Sequence, residues 1–158
     1  MTGEIAAHVL TEGNADDAVQ APALLAQAEG MIASVTADGA YDIEPVYRAA
    51  TARQHSPPPD VIIPPRASAV PSTDGADNLH PRDRHIRLIA EKGRMAWQQA
   101  TGYGRRNLVE TAIGRYKQLI GPRLRARILV TQHGEAAIAI AALNRMIRIA
   151  KPLSLRCT

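Results

Sequence analysis

The sequence predicts an α/β domain. Two observations carry that reading. Short apolar runs bounded by turn residues alternate with longer stretches of helical periodicity. Apolar residues make up 46% of the 158-residue chain, enough for a core, and with no Phe and one Trp that core must rest on Ala, Ile, Leu and Val.

Element by element, Thr2 to Thr11 (TGEIAAHVLT) reads as a turn followed by a strand. Asp16 and Asp17 precede a helix reaching Ala28, with Pro22 expected in its first turn, where proline is tolerated. Met31 to Ala37 (MIASVTA) is a buried strand closed by Asp38-Gly39. Asp42 is placed to cap a helix from Ile43 to about Arg53, with Glu44 and Pro45 in its first turn. Val61-Ile62-Ile63 is a second buried strand, closed by Pro64-Pro65. Residues 66–80 are polar and rich in Pro, Gly and Ser, and read as a mobile loop. A helix over about 81–94 follows, then another over roughly 104–120, a Gly121-Pro122 break, the ambiguous stretch LRARILV at 124–130, and a last helix over about 132–150. No internal repeat is visible.

Charge is unevenly distributed. Residues 1–93 carry 7 Lys/Arg and 13 Asp/Glu; residues 94–158 carry 12 and 2, a net of +10. A basic half of this kind faces a polyanion, and nucleic acid is the expected partner; the bland alternative is a solvated basic surface. The one cysteine, Cys157, excludes an internal disulfide and fits a reducing, cytoplasmic compartment. The N-terminus has no basic region of a signal peptide. The longest apolar stretch, AAIAIAALNRMIRIA, is interrupted by Arg145 and Arg148, so no membrane span is expected.

Two groupings suggest chemistry. Asp38, in DGAYD directly after a buried strand, stands where α/β sheets place their ligands and is a candidate metal ligand; the alternative is a turn or cap role. The second grouping lies in YGRRNLVETAIGRYK at 103–117. On a helical wheel of about 100° per residue, Tyr103 falls near +20°, Arg106 near −40° and Lys117 near −20° of Glu110, all rough angles. One stripe thus carries a phenol, a guanidinium, a carboxylate and an ammonium. Glu110 and Arg106 are spaced for an intrahelical pair worth a few tenths of a kcal/mol. Lys117 is two turns beyond Glu110, roughly 10 Å along the axis, too far for one. A carboxylate flanked by cations suits a site where the acid holds Mg²⁺ and the cations hold phosphate oxygens. The five histidines show no zinc spacing, the acids no calcium-loop pattern, and Gly102-Tyr103-Gly104 lacks the rest of a dinucleotide fingerprint. Trp97 is read as core filling ahead of base stacking.

Tyr103, Arg106, Glu110 and Lys117 match the Y-x2-R-x3-E-x6-K signature of bacterial insertion-sequence transposases. The chain resembles the insertion-sequence-five branch of that group. ADGAYD at 37–42, IIPPR at 62–66, the stretch from Trp97 to Glu110 and the tail QLIGPRLRARILVTQHGEAAIAIAALNRM also look like that branch. The resemblance covers nearly the whole chain. It implies an RNase-H-like fold in which two aspartates and a glutamate hold two divalent ions, Mg²⁺ in the usual case. Asp38 and Glu110 then match the second and third members of that triad and are the implied catalytic and metal-binding residues. Arg106 and Lys117 are implied phosphate contacts, and Tyr103 helps place the DNA strand. The implied activity is DDE-type strand cleavage and transfer in DNA transposition, by a nucleoid-associated protein that forms homo-oligomers on DNA ends.

The resemblance departs from the family at its start. The family's first aspartate belongs to a strand ahead of the TGEI block, and Asp16 and Asp17 match a later position. The expectation is therefore a single partial catalytic domain over 1–158, N-terminally truncated so that the first strand of the sheet is missing. An unpaired strand edge and marginal stability alone are expected with it. The alternatives to an active fragment are a non-catalytic DNA-binding remnant of a degenerate insertion sequence and a folded relic with no partner.

Overall fold

The computed structural model describes residues 3–11, 13–52, 57–72 and 80–150. The chain divides into two compact units, residues 13–106 and residues 1–12 together with 107–158.

In the first unit the order is α1 (Asp17–Gln27), β1 (Ser34–Thr36), a 3-10 turn (Gly39–Tyr41), α2 (Glu44–Thr51), β2 (Asp60–Ile62), α3 (Pro81–Lys92), α4 (Arg94–Thr101) and a second 3-10 turn (Tyr103–Arg106). β1 and β2 pair in parallel, Val35 opposite Val61, and Ala37 extends the pairing through its N–H to the Ile62 carbonyl at 3.2 Å. A parallel pair needs a crossover, and α2 supplies it. The apolar residues of β2 and its extension, Val61, Ile62 and Ile63, are buried, as the apolar run predicts. Val61 and Ile63 meet Ala21 of α1 and Val46, Tyr47 and Ala50 of α2, with Leu25, Val35, Ala37, Tyr41 and Ile43 closing round them. β1 is only half-buried along its length. Asp16 caps α1, its Oδ1 accepting from the Ala18 N–H at 2.9 Å. The helix starts at Asp17, so Pro22 is its sixth residue and lies beyond the first turn; a proline there has no N–H to offer the Ala18 carbonyl.

The helix cap expected from Asp42 is not made. α2 begins at Glu44 with Ile43 as its N-cap and no side-chain bond there. Asp42 is turned inward instead and is buried. Its Oδ1 accepts from the Tyr47 hydroxyl at 2.9 Å, and its Oδ2 from the Arg66 N–H at 3.0 Å. The Arg82 Nε lies 3.1 Å from Oδ1. That is ion-pair distance, but the Nε hydrogen is not aimed along a bond. The expected 66–80 loop is described only over 66–72 and at His80. Its first part turns through an Ala69 N–H to Arg66 carbonyl bond of 2.9 Å, and Ser72 is tied to Asp83 by its backbone N–H and its hydroxyl. Residues 73–79 lie outside the described residues.

In the second unit, α5 (Asn107–Leu119) and α6 (Leu129–Ala150) pack together. α6 buries Ala136, Ala139, Leu143 and Ile147, one helical stripe. The strand expected over Thr2–Thr11 does not form in the described 3–11 segment. A strand needs a ladder partner, and here a side chain takes that place. The Asn144 carboxamide accepts from the Ile5 N–H and donates to the Ile5 carbonyl, both at 2.9 Å. Glu4 adds a two-pronged pair with Arg148.

The helix expected over 104–120 also starts later. Gly102 ends α4 in the left-handed conformation, φ +66°. Arg105 then bonds back to the Gly102 carbonyl, and residues 103–106 take the tighter 3-10 winding. The α-helix proper begins at Asn107, so one wheel does not describe the stripe from Tyr103 to Lys117.

Candidate nucleic-acid and metal site

Asp38 lies two residues beyond β1, at the carboxyl end of a parallel pair, as the sequence predicts. It starts the 3-10 turn: its Oδ1 accepts from the Ala40 N–H at 2.9 Å. Its Oδ2 accepts from Arg106 Nη2 at 3.2 Å. Both side chains are partly open to solvent, 39% for Asp38 and 32% for Arg106. A pair that open is worth about 1 kcal/mol at most. Gly39 lies close to the chain just beyond β2: a Cβ there would stand 3.3 Å from the Pro64 carbonyl oxygen, so the Pro64 backbone would have to give by a few tenths of an ångström. Tyr41 closes the turn. Burial, then the nearby Asp17, Asp38 and Asp16 carboxylates, raises its phenol above the ordinary 10.0. The turn therefore carries local negative potential with Arg106 set against it.

Tyr103 and Arg106 occupy one 3-10 turn, and a chain of contacts anchors it. The Tyr103 ring packs on Trp97, centroids 5.1 Å apart. Trp97 is fully buried, as expected of core filling. Its indole N–H can only donate, and it does so to His85 Nδ1 at 3.0 Å. His85 Nε2 therefore carries the ring hydrogen and donates to the Val61 carbonyl at 2.7 Å. The 3-10 turn is thus referred to the middle residue of β2, while Asp38 is referred to β1. Sequence reasoning missed His85. The signal available was His85 and Trp97 at i and i+12, which no helical or strand period singles out.

Glu110 stands in the first turn of α5 and Lys117 in its last; both are exposed. Seven α-helical residues apart, they share a face two turns apart. They belong to the second unit, Asp38, Tyr103 and Arg106 to the first.

Asp38 offers the hard oxygen donors that Mg²⁺ takes, and it is open enough to be reached. One carboxylate does not make such a site. Among the described residues, no three His, Cys, Asp or Glu side chains come together as a metal-binding group.

The structure thus brings together a carboxylate at the carboxyl end of a parallel strand pair and an opposing guanidinium. The family described as Transposase DDE domain matches residues 1–145, and the chain belongs to that family. The family implies an RNase-H-like fold, a DNA substrate and a divalent metal such as Mg²⁺; the described residues form helices with one two-stranded parallel sheet. No solved structure matches the chain. No helix of the described residues is long and apolar enough to cross a membrane.

Proposed function

We propose that this chain carries DNA-cleavage machinery of a DDE transposase of the insertion-sequence-five branch, with both units serving one catalytic domain. The family match across residues 1–145 carries the reading; the position of Asp38 beyond β1 supports it. Asp38 and Glu110 are the metal-binding carboxylates and the catalytic acids. They would supply two of the carboxylates that hold divalent ions in this family, and such ions would lend Lewis-acid activation to an in-line displacement at phosphorus. Arg106 and Lys117 neutralise phosphate oxygens beside the scissile bond. Tyr103, held by Trp97, sets the strand's position. The protein works at the nucleoid, in the cytoplasm, as a homo-oligomer on paired ends.

The test is nicking of supercoiled plasmid by the purified chain with Mg²⁺. The expected result is metal-dependent nicking that Asp38→Asn and Glu110→Gln each abolish. Nicking unchanged in both variants overturns the residue assignment. DNA binding without nicking selects the other reading, a non-catalytic DNA-binding remnant, to which the +10 charge of residues 94–158 is sufficient.

A further inference from the structure

The segment joining α5 to α6 carries Arg123, Arg125 and Arg127 at alternate positions. All three are exposed, while Leu124 and Ala126 between them are half-buried. The arginines therefore share the outer side of one short segment. None of their guanidinium groups is in a salt bridge among the described residues.

The backbone beneath them is built rather than loose. Glu135, on α6, reaches back with both carboxylate oxygens to the Arg125 N–H, at 2.8 and 2.9 Å, and to the Ala126 N–H at 2.8 Å. Gln132 donates to the Ala126 carbonyl at 3.0 Å. Two side chains one helical turn apart thus hold three backbone groups of the arginine segment. The Arg125 and Ala126 N–H bonds keep the Glu135 carboxyl below its ordinary range. The chain spends one of only two acids in residues 94–158 on this task, among twelve cations.

We propose that residues 123–127 form a phosphate-binding ledge for duplex DNA, with Glu135 and Gln132 as its positioning residues. The inference rests on the DNA-binding reading above and adds to it residues other than Asp38 and Glu110. A fixed backbone presents three guanidinium groups without first having to order them, so less binding free energy is lost on contact. Phosphate contacts of this kind set register and are insensitive to base sequence.

The experiment measures binding of the full chain to a random-sequence duplex by fluorescence anisotropy across a salt series. Each phosphate contact contributes roughly 0.9 to the slope of log affinity against log salt. Replacing Arg123, Arg125 and Arg127 by Gln together should lower that slope by about 2.7. Replacing exposed Arg84, Arg87 and Arg94 by Gln removes the same charge elsewhere and should change it far less. Glu135→Ala supplies a test of sign. It removes a negative charge, so charge counting alone demands tighter binding; a ledge that needs its brace demands weaker binding. Alanine favours helix, so α6 itself is not threatened. Equal slopes for the two triple variants, or tighter binding by Glu135→Ala, overturn the ledge and leave the DNA-binding reading standing. A wild-type chain without DNA affinity overturns both.

Discussion

Removing the Asp42 carboxylate should destabilise the 13–106 unit more than any other single polar deletion there. The Asp42 side chain is fully buried, and three groups depend on it: the Tyr47 hydroxyl, the Arg66 N–H and the Arg82 guanidinium. Burial, then the Asp42 charge and the hydrogen bond to it, pushes the Tyr47 phenol far above its ordinary 10.0. Breaking a buried pair by deleting one partner costs about 3–5 kcal/mol. Arg82 is 35% exposed and water can partly replace its partner, which places Asp42→Ala near the lower end, about 3 kcal/mol. For a chain of this size that lowers Tm by roughly 6–12 °C. Tyr47→Phe removes one hydrogen bond to a charged acceptor, about 1.5 kcal/mol. Asp42→Asn keeps an acceptor for Tyr47 and should fall between the two. The assay is urea unfolding read by Trp97 emission. Trp97 is the sole tryptophan, fully buried, and in the same unit, so its emission reports that unit alone. An Asp42→Ala loss below about 1 kcal/mol, or one no larger than that of Tyr47→Phe, would refute the view of Asp42 as a shared buried acceptor.

His85→Ala strips partners from the buried Trp97 N–H and the Val61 carbonyl and should destabilise by about 2–4 kcal/mol; urea unfolding measures the loss, and a change in the Trp97 indole proton shift in Tyr103→Leu would show that the ring stack persists in solution. Burial alone would raise the Asp83 carboxyl, but the Ser72 hydroxyl and N–H, with His80 and Arg82 nearby, outweigh it and hold it below 3.8. Its folded value is depressed, so its stabilisation is present above 3.8 and is lost as pH falls through the folded value. Ser72→Ala should flatten that acid limb in unfolding midpoints taken across pH 2–5, a window set by roughly the ordinary carboxylate range, and an unchanged limb would count against the tie. Gly39→Ala drives a Cβ to 3.3 Å from the Pro64 oxygen and should cost about 1–3 kcal/mol, seen as faster exchange of the Ala40 amide that Asp38 accepts.

The elements that were legible are those where local pattern and tertiary need agree. Val61 to Ile63 is a continuous apolar run between prolines, and the protein buries it as a parallel strand. Asp38 followed by Gly39 after an apolar run announces a turn at a strand end, and the turn is there. Where a position had two satisfactory local roles, the sequence could not choose. Asp42 precedes a helix and has the chemistry of a cap; Tyr47, five residues on, and Arg66, much further along, draw it inward instead. The Thr2–Thr11 segment has the alternation of a strand, but a strand exists only with a neighbour, and Asn144, 139 residues from Ile5, supplies the neighbour's hydrogen bonds. Contacts at such separation leave no periodic trace.

The spacing of Tyr103, Arg106, Glu110 and Lys117 does not translate into one helical surface. A 3-10 turn advances about 120° and 2.0 Å per residue, an α-helix about 100° and 1.5 Å. The winding changes between Arg106 and Asn107, so each pair is oriented by its own surroundings. Tyr103 and Arg106 take their places from the Trp97 ring and the Asp38 carboxylate. Glu110 and Lys117 take theirs from α5. The spacing therefore constrains the junction itself: a residue inserted between 103 and 106 would rotate Arg106 off Asp38 while leaving the register of Glu110 and Lys117 within α5 unchanged. An insertion after Arg106 would leave the Asp38 pair intact.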